Sequence, residues 1–298
     1  TVLATRPLLD RGVTPGLLRV SGPGWARPND LLTPLRQLVT IDGPAVLLAP
    51  GCAAGNSAIA AGCRSLAAGE VDVALCGGTA ELSLEVFAMF TALRALAVDA
   101  VRPFDAERRG TMPGEGAGVL VLERAERAAA RGRRPRARVL ACAGAADAYH
   151  PTHPHPRGNG LVSTVRACLT RAGISPEQID WVSAHGTGTP ASDGIEARAL
   201  TRALPGPRRP VVSALKGQLG HADGAAAALE AVVAVHALAA NFVPGNVTLG
   251  VPDPACHGVD LVEPAGRHTR VEIVLSPAFG FGGAVSTVLL GAGDDRVH

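Results

Sequence analysis

The chain has 298 residues, 47% hydrophobic and 18% charged, with a formal net charge of +2. This excludes a disordered chain, which is poor in apolar residues and rich in charge, and the length suggests about two domains or one large duplicated one. A near-neutral charge with 3% aromatics also argues against a nucleic-acid surface built on a basic field and base-stacking rings.

Residues 1–43 are rich in Leu, Arg, Pro and Gly and show no clear period. The run 45–49 (AVLLA), between Pro44 and Pro50, reads as a buried strand. Residues 53–68 are Ala-rich and closed by Gly69, which predicts a helix. A strand follows over 71–76 and is expected to end at Gly77-Gly78, with a helix over 81–96. After a loop rich in Gly and charge come a strand at 119–122 and a helix at 125–131.

A second series starts with a strand at 138–144, then a helix at 161–172, a strand at 181–184 and a helix at 194–204. It continues with a strand at 211–213, a long helix at 222–240 and closing strands at 271–275 and 285–290. Strands alternating with helices predict α/β layers around mostly parallel sheets. The two series share an order, which points to duplication near residue 137, without strong residue identity between them.

The longest apolar helical stretch, 225–240, is broken by Glu230 and His236 and falls short of the ~20 residues of a membrane span. No charged-then-apolar signal pattern opens the sequence. The six cysteines are scattered without a CxxC, so neither a disulfide framework nor a zinc motif is expected. The expected location is cytoplasmic. Of the 28 basic residues only Lys216 is lysine, which suggests a place where a guanidinium does not fit, although chance is an equal reading.

Four places could carry chemistry. Cys52 lies between a predicted strand and a helix start, flanked by Gly and Ala. The helix N-terminus favours a thiolate there, and the alternative is an inert buried thiol. His185 ends a predicted strand at HGTGT, where α/β sites lie, and is otherwise a satisfied core histidine. Lys216 and His221 flank a loop opening onto a helix. A histidine at a helix N-terminus stays neutral and can donate to an oxyanion. Glu230, on that helix, is a candidate partner for Lys216. The turn Phe279-Gly280-Phe281-Gly282-Gly283 precedes a strand, so it reads as a turn placing an N–H and a ring rather than a phosphate cradle. His150, His153 and His155 are interleaved with prolines, and a structural loop is the favoured reading over a metal tract.

Together these motifs resemble the β-ketoacyl synthases. The resemblance covers GPAVLLAPGCAAG, RPFDAERRGTMPGEGAGVLVLE, DAYHPTHPHP, AHGTGTPASDGIEA, KGQLGHADGAAAALE and FGFGG, in the family's order over nearly the whole chain. It implies a thiolase-like α/β fold, two βαβαβαββ halves in five α-β-α-β-α layers, divided here as 1–136 and 137–298. His221, where initiating synthases carry Asn, places the match with the elongating, Cys-His-His type.

The resemblance also implies roles. Cys52 would take an acyl group from an acyl carrier protein, with the N–H groups of Cys52 and Phe281 as oxyanion hole. His185 and His221 would stabilise the enolate as malonate loses carbon dioxide. Lys216 and Glu230 would hold His221. Thr187 and Thr189 would bind the pantetheine amides, Phe281 would gate the site with His150 beside it, and Met112, Ala53 and Ala54 would line it. Asp193 and Glu196 fall at structural positions.

No metal or separate cofactor is implied, because substrates ride on phosphopantetheine. The implied partners are a carrier protein and a second subunit, as homodimer or as heterodimer through the strand near 71–77. Neither nucleic acid nor membrane is implied as a partner. The run Arg131, Arg133, Arg134, Arg136 and Arg138 could dock an acidic carrier or be a solvated helix end. The competing readings are a non-catalytic chain-length subunit and an acyltransferase that never decarboxylates malonate. Three departures stand out: Pro50-Gly51 before Cys52, Ala284-Val285 after FGFGG, and an opening strand and helix absent ahead of Cys52. The last suggests a fragment, or a missing region on another chain.

Overall fold

The computed structural model describes residues 38–293, and most of the irregular stretch 1–43 lies outside them. A 3-10 turn, Gly51–Ala53, leads into α1 (Ala54–Ala67). Then come β1 (Val73–Ala80), α2 (Leu84–Ala92), β2 (Gly116–Glu123) and α3 (Ala125–Ala130). The second series is β3 (Ala137–Ala146), α4 (Asn159–Ala172), β4 (Trp181–Ser183), α5 (Asp193–Ala203) and β5 (Val211–Ser213). It continues through the short α6 (Lys216–Leu219) to α7 (Asp223–Ala240). The two-residue strands β6 (Phe242–Val243), β7 (Asp260–Leu261) and β8 (Arg267–His268) precede β9 (Ile273–Phe279) and β10 (Ala284–Ala292).

Six strands form one sheet in the order β3-β10-β9-β4-β5-β7. It is mixed rather than mostly parallel: β10 runs antiparallel to β3 and β9, while β9, β4, β5 and β7 are parallel. Omitting the small strands, the second series reads βαβαβαββ. Helices α4 and α5 cover one face of this sheet over a core that includes Leu161, Val165, Val182, Leu200 and Leu275. Helices α1 and α7 cover the other face and separate it from the antiparallel β1–β2 pair. Ile59, Trp181, Ala231, Ala234 and Val288 fill that second core.

Two expectations fail for physical reasons. Residues 45–49 form no strand: Val46 and Leu47 are exposed, no described strand lies alongside them, and the flanking prolines offer no donors. The glycines expected to end β1 instead lie within it. A Cβ at Gly77 would sit 2.2 Å from the Gly118 carbonyl oxygen, and one at Gly78 2.5 Å from that of Gly224. These glycines let β1 meet β2 and the start of α7 at backbone distance. Gly78→Ala should therefore cost about 1–3 kcal/mol by overpacking, read as a melting point several degrees lower. A melting point within a degree of wild type would show that α7 can give way there.

Helix α2 is shorter than expected because Ser83 caps its start, its side chain accepting from Val86 N, and Arg94 turns to a positive φ just beyond its end. Helix α7 is 18 residues long and apolar enough by composition to cross a membrane, but half of it is buried between the two sheets. Its Ala-rich sequence suits that position: Ala225, Ala227, Ala231 and Ala234 are fully buried.

Candidate active site

Cys52 sits in the 3-10 turn ahead of α1, after Gly51 at φ +57°. That turn packs against the one at Phe281–Gly283: a Cβ on Gly280 would lie 2.3 Å from the Pro50 carbonyl oxygen. The Phe281 backbone N is likewise close to Gly51. Cys52 is buried, and its thiol is pushed up to about 12, first by burial and then by the Asp223 carboxylate, against the pull of Lys216. Burial and the Asp223 carboxylate thus act against the thiolate that the helix N-terminus favours.

His221 Nε2 lies 3.1 Å from Cys52 Sγ. The His221 backbone is pinned by its N–H to the Met112 carbonyl at 2.7 Å and by its carbonyl to Gly114 N at 3.0 Å. His185 meets the His221 ring edge-on at a centroid distance of 5.5 Å and Phe279 at 5.3 Å. Burial, and then the Lys216 charge, hold both imidazoles well below their usual range, so both are neutral.

Lys216 is fully buried. Its ammonium pairs with Glu230 Oε1 at 2.5 Å and faces His185 Nδ1 at 3.4 Å. The pair therefore supports His185, not His221 as the resemblance implied. An ammonium has no acceptor, so Nδ1 of His185 accepts and its proton sits on Nε2. Among the described residues nothing bonds to His221 Nδ1, so that ring's tautomer is not locked.

Two buried carboxylates hold the His185 loop. Glu196 accepts from the N–H groups of His185 and Gly186 at 2.7 and 2.8 Å, and Asp193 accepts from those of Gly188 and Phe104. Burial pushes the Glu196 carboxyl up to about 8. The hydroxyls of Thr187, Thr189 and Ser192 bond to one another within 2.7–3.1 Å.

Cys52, His185, His221, Thr187, Thr189, His150 and Phe281 all face one cavity of about 270 Å³. Its wall departs from expectation in places. Met112, Ala53 and Ala54 do not line it. Thr111 does, while Met112 acts through its carbonyl. Sequence reasoning passed over Phe90, whose ring lies 6.2 Å from both His221 and Phe281, and Asp223 beside Cys52. Phe90 belongs to none of the quoted motifs, and Asp223, within KGQLGHADGAAAALE, was given no role. His150 and His153 approach Nδ1 to Nδ1 at 3.1 Å on an exposed loop at the cavity wall.

A buried cysteine and two neutral histidines meet on a thiolase-like α/β frame. The chain matches the family model "Beta-ketoacyl synthase, N-terminal domain" over residues 34–128 and "Beta-ketoacyl synthase, C-terminal domain" over 136–249. It is 36% identical over 285 residues to nodulation protein E of Rhizobium meliloti, covering 95% of this chain and 70% of that protein. It is 39% identical over 249 residues to 3-oxoacyl-(acyl-carrier-protein) synthase 2 of Synechocystis sp., covering 81% of this chain and 60% of that one. Among solved structures, the ishigamide ketosynthase/chain length factor aligns with a TM-score of 0.79 at 39% identity, over 83% of this chain and 60% of that chain. The chain belongs to the β-ketoacyl synthase family. It spans about 60% of the length of several of the curated relatives it matches.

Proposed function

We propose that the protein is a β-ketoacyl-acyl carrier protein synthase, catalysing decarboxylative condensation. What carries this reading is the meeting of Cys52 Sγ, His221 Nε2 and His185 on one cavity, with Lys216 and Glu230 beneath. Cys52 attacks an acyl thioester. Its proton passes through His221 Nε2 to the departing pantetheine sulfur, and the N–H groups of Cys52 and Phe281 face the oxyanion. A malonyl thioester then places its carbonyl oxygen at Nε2–H of His185 and at Nε2 of His221, whose unlocked ring has moved its proton from Nδ1 to Nε2 by exchange with solvent. Carbon dioxide leaves, and the carbanion attacks the acyl carbon. A C–C bond forms, the C–S bond to Cys52 breaks, and the Cys52 thiolate takes a proton from solvent.

Thr187 and Thr189 bind the pantetheine arm, while Phe281 and His150 border its access. No separate cofactor is needed, since phosphopantetheine carries both substrates. The halves are 1–136 and 137–298, and the protein works in the cytoplasm.

The partners are an acyl carrier protein and a second ketosynthase-like subunit. Among the described residues the outer edge of β1 is unpaired, and Val73 and Leu75 on it are exposed. Such an edge suits a partner strand. A non-catalytic chain-length role is disfavoured because this chain keeps its nucleophile, both histidines and Lys216.

Incubation with an acyl-carrier thioester should add one acyl group at Cys52 by intact mass and block iodoacetamide there. Without acyl donor, labelling of Cys52 should rise about tenfold per pH unit up to pH ~10 without a plateau, because the thiol lies far above neutrality. Equal labelling of all six cysteines, or acyl transfer persisting in Cys52→Ser, would count against the assignment.

A further inference from the structure

We propose that the un-acylated site binds a thiophilic divalent cation of the zinc class through Cys52, His221 and Asp223, and that the bound ion excludes acyl transfer. One donor atom from each of the three side chains lies within 4.8 Å of the other two, with Cys52 Sγ and His221 Nε2 at 3.1 Å. Tetrahedral zinc, with bonds of about 2.3 Å to sulfur and about 2.0–2.2 Å to nitrogen and oxygen, sets its donors roughly 3.3–3.6 Å apart. Contractions of up to about 1.5 Å between donors, shared between the side chains, therefore complete the set.

The three donors come from two rigid places. Cys52 is fixed in the turn before α1, and His221 and Asp223 flank Ala222 where α7 begins. Asp223 is held at φ +36°, a conformation aspartate tolerates better than most residues. One thiolate, one imidazole and one carboxylate suit zinc better than magnesium or calcium, which favour all-oxygen sets. Cys52 and His221 line the cavity, through which an ion can reach them, and Asp223 lies behind its wall. On binding, the Cys52 thiol loses its proton to solvent, a Zn–S bond forms, and nothing is oxidised or reduced. The ion occupies both the attacking sulfur and the nitrogen that would take its proton. The binding stands on donor positions alone, while the exclusion of acyl transfer rests on the proposed function.

The test uses the full chain, zinc chloride in a non-chelating buffer, and iodoacetamide labelling of Cys52 followed by mass spectrometry. Zinc should slow labelling at least about tenfold, and a chelator should restore it. Cobalt(II) should give a thiolate-to-metal charge-transfer band that Cys52→Ser removes. Asp223→Asn, which keeps the shape and tolerates the same φ, should raise the zinc needed for protection by about tenfold or more, while Cys52 still labels in its absence. His153→Ala should leave protection unchanged. Protection untouched by Asp223→Asn, protection lost with His153→Ala, or no protection and no cobalt–thiolate band in wild type would each overturn the site. Condensation measured without metal reports separately on the proposed reaction.

Discussion

His185→Ala should reduce carbon dioxide release from malonyl carrier protein by about 10²–10³-fold, the cost of removing one oxyanion donor. Acyl transfer to Cys52 should stay within about tenfold of wild type, because the Sγ contact is made by His221 and not by His185. The separation follows from the tautomer. Lys216 faces Nδ1 of His185 and can only donate, so Nε2–H is the group presented to substrate. Burial and the same ammonium keep the ring uncharged, so it polarises the thioester oxygen without protonating the carbanion. His221→Ala should damage both half-reactions, since that ring touches the nucleophile and also neighbours His185. Radiolabelled carbon dioxide release and intact mass report the two steps independently. Equal loss of both steps in His185→Ala would refute the division of labour.

The second series was legible because each element announced itself. Leu161 and Val165 are one helical turn apart and both fully buried, and the strand at 211–213 falls on the observed residues. Gly173, at φ +66°, closes α4 where the sequence expected an end. The first series was less legible, because two of its signals depend on neighbours. The apolar run 45–49 looks like a strand until one asks what lies beside it. Gly77-Gly78 looks like a terminator until α7 is laid across it. Local propensity cannot report a crossing that comes from about 145 residues further along the chain.

The site divides in the same way. Cys52, His185, His221 and Lys216 stand in motifs and were found from them. Their mutual contacts were not, since the Cys52–His221 contact spans 169 positions in sequence. The resemblance therefore attached Lys216 to the wrong imidazole. Asp223 was invisible for a related reason. Beside His221 it reads as an ordinary first-turn acid, and only the fold sets it by the nucleophile, where it raises the thiol. The scattered cysteines gave no zinc spacing because the donors that converge lie on different elements.

The buried Lys216–Glu230 pair offers the sharpest separation of fold from chemistry. Lys216→Met leaves the Glu230 carboxylate buried without its cation, which should cost about 3–5 kcal/mol. The sign with pH follows from burial, which raises the Glu230 carboxyl while Lys216 lowers it. With Lys216 gone the folded form holds that proton more tightly than the unfolded chain. The variant should therefore be most stable in acid and weaken as pH climbs through the ordinary carboxylate range. Catalysis should fail for a different reason. Without the ammonium, His185 loses both the contact fixing its Nε2–H tautomer and a charge opposing protonation. The acid limb of carbon dioxide release should then move up by about one pH unit or more. Adding Glu230→Met removes the orphaned carboxylate and should recover most of the stability, as apolar replacement of a buried pair commonly does. It should recover none of the decarboxylation rate. Lys216→Arg keeps the charge but not the shape, since a planar fork replaces the compact ammonium of a side chain that is 1% exposed. A double variant that melts like wild type and also decarboxylates at the wild-type rate would remove Lys216 from the mechanism and leave it a packing residue.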